Sequence, residues 1–194
     1  MKKNNNTISL IKKIITLTSL LGISAIIFFA LNGFYHQQWM EVVAVVMLTT
    51  FYHFAMRISV GEIITVKFKN KTFPEDRMGF KMFAFEDGLY QKLKVKRWKM
   101  GVITAKPELF DIRQVSPEEL LHNVMQAELV HRIIMVLSFV PLLLIIPFGS
   151  PAVFILTSVL ACLFDAIFVI IQRYNRPRVK RYLVLANKKK KIRK

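Results

Sequence analysis

A chain of 194 residues and 22.6 kDa has the length of one soluble domain. Its composition argues otherwise: apolar residues make up 54%, mean hydropathy is +0.39, and 29 Lys and Arg face 12 Asp and Glu for a net charge of +17, a balance that puts apolar residues in lipid and charges at its surface. The single Cys162 excludes an internal disulfide and a multi-cysteine zinc site, and four histidines are too few for a histidine-box iron centre.

In chain order, the first stretch long enough to cross a bilayer runs from about Ile14 to Phe34. It has a basic start, but its apolar core is too long for a cleaved leader. Phe28 to Gly33 also lacks a small-x-small pattern, so a signal anchor is expected. Tyr35 to Gln38 joins it to a second span from about Trp39 to Met56.

The middle of the chain, Arg57 to Arg132, holds ten of the twelve acids and fourteen of the basic residues. Gly61 to Lys69 alternates partially and reads as a strand or as the end of the second span; Asn70 to Gly79, with Pro74, reads as loop. From Phe80 to Met100, Phe83, Phe85, Leu89, Tyr90, Leu93 and Trp98 alternate with Lys92, Lys94, Lys96, Arg97 and Lys99. That mixture suits a segment in the headgroup layer or a solvated basic face; no nucleic-acid fold signature accompanies it, so no nucleic-acid partner is expected. Ser116-Pro117-Glu118-Glu119 starts a helix with a capping box, continuing into the third span.

The third span, about Ile133 to Phe148, carries Pro141 and Pro147 and is expected to kink or to begin earlier. Gly149 to Pro151 turns into the fourth, Ala152 to Ile171. Four basic residues precede the first span, fourteen lie in the middle, eleven lie from Arg173 onward, and neither short loop has any. The positive-inside rule then puts both termini and the central segment in the cytoplasm. The expected architecture is an all-α integral plasma-membrane protein with four transmembrane helices in two hairpins. Its divisions are a hairpin (1–60), a cytoplasmic or interfacial segment with an entry helix (61–132), a second hairpin (133–171) and a basic tail (172–194).

Glu128 and His131 lie three residues apart on one helical stripe where the chain enters the bilayer, an arrangement that serves a general base or an interfacial polar pair. Glu119 and His122 repeat the spacing nine residues earlier, hence on the opposite face, so the two pairs cannot share a metal pair and no metal site is expected. Gln172, Arg173, Tyr174, Asn175, Arg176 and Arg178 follow the fourth span and suit either a grip on phosphate, carboxylate or sugar, or a stop-transfer cluster. Asp165, about two thirds along that span, is costly there and calls for a partner or a substrate; His53, at similar depth in the second span, is the partner expected from depth. Nucleotide-binding glycine loops, nucleophile elbows, catalytic-cysteine motifs and a His-x-x-x-x-Asp pattern are all absent.

Val95 to Lys99, Ala127 to His131, the proline-bearing hairpin and Gln172 to Arg178 together resemble the glycosyl-4,4'-diaponeurosporenoate acyltransferases, over roughly residues 80 to 182. The resemblance implies transfer of a fatty acyl group to a hydroxyl of a membrane glycolipid, a glycosyl carotenoid or related isoprenoid. It implies no bound cofactor, with acyl-CoA or another acyl thioester as co-substrate, and a bilayer with anionic lipids as partner. His131 with Glu128 would then be catalytic. Arg97, Trp98, Lys99, Gln172, Arg173, Tyr174, Asn175, Arg176 and Arg178 would hold donor phosphates, a sugar acid or sugar hydroxyls. A non-enzymatic membrane scaffold or complex subunit would need only the topology and the basic faces.

Overall fold

The structure is a computed structural model describing residues 2–69, 73, 80–98 and 107–192. It is all-helical, with no strand among the described residues. The helices are α1 (Lys2–Tyr35), α2 (Gln38–Phe68), α3 (Glu86–Lys92), α4 (Val95–Trp98), α5 (Pro117–Leu137), α6 (Ile145–Phe148) and α7 (Pro151–Ile192). Short 3-10 turns cover Pro107–Phe110 and Val140–Leu144. Among the described residues, four segments are long and apolar enough to cross a membrane: Leu10–Tyr35, Gln38–Phe68, Pro117–Phe148 and Pro151–Ile192.

Three boundaries have local causes. Residues 61–68 are helical and continue α2: Ile64 is buried, Phe68 one turn on packs against the core cluster around Phe73, and Thr65 accepts a 2.9 Å hydrogen bond from Gln126. The loop expected over 70–79 lies outside the described residues apart from Phe73. α5 starts as its capping sequence requires, with the Glu119 amide donating to Ser116 Oγ at 3.1 Å. It ends at Leu137 because Pro141 has no amide proton to give the Leu137 carbonyl. That carbonyl instead accepts the Tyr52 hydroxyl at 2.9 Å.

The chain forms two compact units, Met1–Glu62 with Ile133–Phe164 and Ile63–Arg132 with Asp165–Lys194. In the first, small and hydroxyl-bearing residues are buried (Ala25, Ala44, Thr49, Ser138 and Ser158, with Phe154) while Ile26, Leu143 and Ile146 face outward. Close helix packing through small residues with large apolar groups outside is the pattern of a bundle in lipid. Gly22 on α1 admits the Phe51 ring of α2, whose atoms stand 3.0 Å from where a Cβ would be. In the second unit, Phe73, Leu121 and Met125 form one core cluster with Phe80, Val179 and Leu183 around it. Tyr90, Val95 and Tyr174 form another, which holds α3 and α4 to α7.

Candidate active site

All the polar groups of interest except His53 lie in the second unit. α7 positions them by periodicity: Asp165, Phe168, Gln172 and Arg176 recur at three- and four-residue steps and share one face, while Arg173 is turned toward α3.

Arg173 is the centre of a buried ion network. Its Nε donates to Glu86 Oε2 at 2.9 Å and its Nη2 to Glu86 Oε1 and to the Lys81 carbonyl, while its Nη1 donates to Glu128 Oε1 at 3.0 Å. Glu128 is fully buried and meets two further cations, Arg132 Nη2 at 2.5 Å and Arg176 Nη1 at 3.1 Å. Arg176 also donates to the Phe80 carbonyl, and both Arg132 and Arg176 lie over the Phe80 ring. Two carboxylates and three guanidiniums in contact inside a fold are tolerable because each is hydrogen-bonded or ion-paired. Burial works against the charge on Glu86, but bonds from Arg173, the Tyr90 hydroxyl (2.5 Å) and the Phe83 amide (3.0 Å) outweigh it and hold its carboxyl down at about 2. Burial first, then the neighbouring carboxylate, push the Tyr90 hydroxyl up.

One helical turn further along α5, His131 stands apart from the arginines. Its Nδ1 is 2.8 Å from Asp165 Oδ1, and its ring stacks on Phe168 with centroids 4.5 Å apart and planes 9° from parallel. The Asp165 side chain is fully enclosed, whereas that of His131 keeps 23% of its surface open. A carboxylate there takes the proton-bearing Nδ1 and leaves Nε2 as the basic nitrogen. Gln172 follows Phe168 by one turn on this face; it is buried, and its Oε1 has no hydrogen-bond partner among the described residues.

The carboxylate that bonds His131 is therefore Asp165, where the spacing on α5 had suggested Glu128. Glu128 and His131 do share a stripe, but the three arginines occupy the carboxylate of the first. His53 is buried in the first unit, its ring edge-on to that of Tyr52. Of the residues expected to bind substrate, Arg173 and Arg176 belong to the ion network. Arg97, Tyr174 and Arg178 line a separate cavity, and Arg178 sits over the Tyr174 ring at 3.5 Å. Asn175 lies on α7 between these groups; Trp98 closes α4, and its side chain and Lys99 lie outside the described residues. Glu86 and Arg132 were not among the expected residues. Both carried a signal, Tyr90 four residues after Glu86 and Arg132 four after Glu128. Among the described residues no three His, Cys, Asp or Glu side chains are grouped so as to hold a metal ion.

Residues 70–185, more than half of the chain, match the profile of one protein family, glycosyl-4,4'-diaponeurosporenoate acyltransferase. The chain belongs to that family. The glycosyl-4,4'-diaponeurosporenoate acyltransferase family is one of acyltransferases acting in carotenoid biosynthesis. The match takes in the whole ion network, His131, Asp165 and Gln172, and leaves α1 and α2 outside. Comparison with curated proteins gives no match, and neither does comparison with solved structures.

Proposed function

We propose that the protein moves a fatty acyl group from a cytoplasmic thioester, acyl-CoA or a related donor, to a hydroxyl of a membrane glycolipid whose isoprenoid tail lies among the apolar helices. The single observation that carries this reading is the His131–Asp165 hydrogen bond of 2.8 Å, made by a partly open imidazole stacked on Phe168 at the polar end of an apolar helix. In the reaction, His131 Nε2 takes the proton of the sugar hydroxyl as its oxygen attacks the thioester carbonyl. The tetrahedral intermediate then expels the thiolate, which takes the proton from the imidazolium, leaving an ester and a free thiol. Asp165 positions the ring and stabilises the imidazolium. The unpartnered Gln172 Oε1, on the same face of α7, accepts a hydrogen bond from a neighbouring sugar hydroxyl.

The arginine–glutamate network supports this site as a frame: it ties α3, α5 and α7 together one turn from His131. The charge distribution supports two membrane hairpins with both termini and the site on the cytoplasmic side of the plasma membrane. In membranes supplied with labelled acyl donor, His131→Ala and Asp165→Asn are each expected to lower ester formation by about a hundredfold or more. Asp165→Asn should do so in the rate at saturating donor rather than in KM. Undiminished product from His131→Ala would remove that residue from the mechanism.

A further inference from the structure

A second polar feature lies on another flank of α7. A cavity of about 290 Å³ is lined by Asp87, Tyr90 and Gln91 of α3, by Lys94, Lys96 and Arg97 around α4, and by Tyr174 and Arg178 of α7. Four cations face one carboxylate. The backbone holds them there: Val95 is fully buried against Tyr90 and Tyr174, so the residues on either side of it are turned outward. Lys94 enters this turn in a left-handed conformation, φ 50°, which a side chain with a Cβ disfavours. Its carbonyl accepts the Arg97 amide at 2.8 Å, closing the turn that brings the cations together.

Tyr174 is nine residues beyond Asp165, about two and a half helical turns, and so faces the opposite side of α7 from His131. The cavity is therefore not part of the reacting centre. Its level is also defined along the helix. Tyr174 and Arg178 stand about 5 and 10 Å beyond Ile171, the last residue of the apolar run. The headgroup layer beside the hydrocarbon core is itself roughly 5–8 Å thick. On the same segment Phe83, Phe85 and Leu89 are exposed, with Phe85 65% open. Apolar rings beside a ring of ammonium and guanidinium groups suit the boundary between acyl chains and phosphates.

We propose that this cavity binds the phosphate group of an anionic membrane lipid, with α3 lying at the interface and the lipid's acyl chains running beside Phe83, Phe85 and Leu89. Phosphates also occur on a nucleotide-bearing acyl donor, so the test must separate the two sources. The inference stands apart from acyl transfer, and the test reads lipid and ligand binding only. Full-length protein stripped of lipid in detergent is titrated with phosphatidylglycerol or phosphatidylcholine, and bound lipid is counted by native mass spectrometry. Wild type should prefer phosphatidylglycerol. Lys94→Gln/Lys96→Gln/Arg97→Gln should weaken that binding by about a hundredfold, whereas Lys188→Gln/Lys189→Gln/Lys190→Gln, which removes equal charge from the tail, should leave it intact. Arg178→Gln provides a single-site check from the other wall should the triple variant not fold. Equal loss in both triple variants, or no preference for phosphatidylglycerol in wild type, overturns the proposal. So does coenzyme A binding that the cavity variant abolishes while phosphatidylglycerol binding persists, a result that would assign the cavity to the donor.

Discussion

Glu128→Gln tests the ion network most directly. The substitution keeps the shape of the side chain and removes one negative charge from a fully buried position. Its oxygens now lie 3.0 Å from Arg173 Nη1, 2.5 Å from Arg132 Nη2 and 3.1 Å from Arg176 Nη1. Afterwards three guanidiniums share the single carboxylate of Glu86, which touches Arg173. Removing one partner of a buried pair costs about 3–5 kcal/mol because the other charge stays desolvated. For a chain of this length each kcal/mol lowers the melting temperature by roughly 2–4 °C, so a fall on the order of 10 °C or more is expected. Thermal unfolding in detergent, followed by circular dichroism, gives the number. The distinguishing arm is Glu128→Gln/Arg176→Met, which removes the surplus cation and should recover a large part of the loss. A Glu128→Gln protein melting within about 2 °C of wild type, or a double variant less stable than the single one, would refute the reasoning.

Acid should loosen α3. Glu86 is held at about 2 in the folded chain against an ordinary value of 4.5, so its contribution is complete above about 4.5 and is lost as pH falls toward 2. Protease resistance of the segment should follow that window and become flat there in Glu86→Gln. Tyr90, pushed up from 10.0, gives the opposite limb: its contribution is present below pH 10 and is lost as pH rises further, a loss that Tyr90→Phe should abolish. Gly22→Leu should destabilise the contact between α1 and α2 by about 1–3 kcal/mol, since a Cβ would already meet the Phe51 ring; Phe51→Ala in the same chain should recover part of it, read as melting temperature. Ser116→Ala removes the hydroxyl that accepts the Glu119 amide and should cost about 1 kcal/mol in denaturant unfolding.

What was legible in the sequence was what is local. Spans long enough for lipid depend on one contiguous run of residues, the capped start at Ser116 and the break ahead of Pro141 on residues within a turn or two, and each is found. Residues 61–69 were ambiguous because Ile63, Ile64, Val66 and Phe68 fit both periods; burial of Ile64, with Phe68 packed one turn on, follows the helical one. The partners of charges were a different matter. Glu128 lies 45 residues from Arg173 and Asp165 lies 34 from His131. A stripe on one helix tells which side chains are neighbours but not which of them a second helix will engage. Arg132, four residues from Glu128, was readable as its partner; Arg173 and Arg176 were readable as a grip on an anionic or sugar ligand or as a stop-transfer cluster, not as partners of Glu128. Whether an arginine meets a carboxylate of its own chain or remains open to a substrate is settled by packing between α3, α5 and α7.

Arg173 connects α3 to α5 through geometry that only its own side chain supplies. A planar fork reaches Glu86 with two nitrogens, Glu128 with the third and a main-chain carbonyl besides. Lysine would restore the charge but reach one of these groups at a time. Across related lineages, positions 86, 128 and 173 should therefore drift only in concert, and an ancestor that lost one of the three would have had to reinvent the joint rather than repair it.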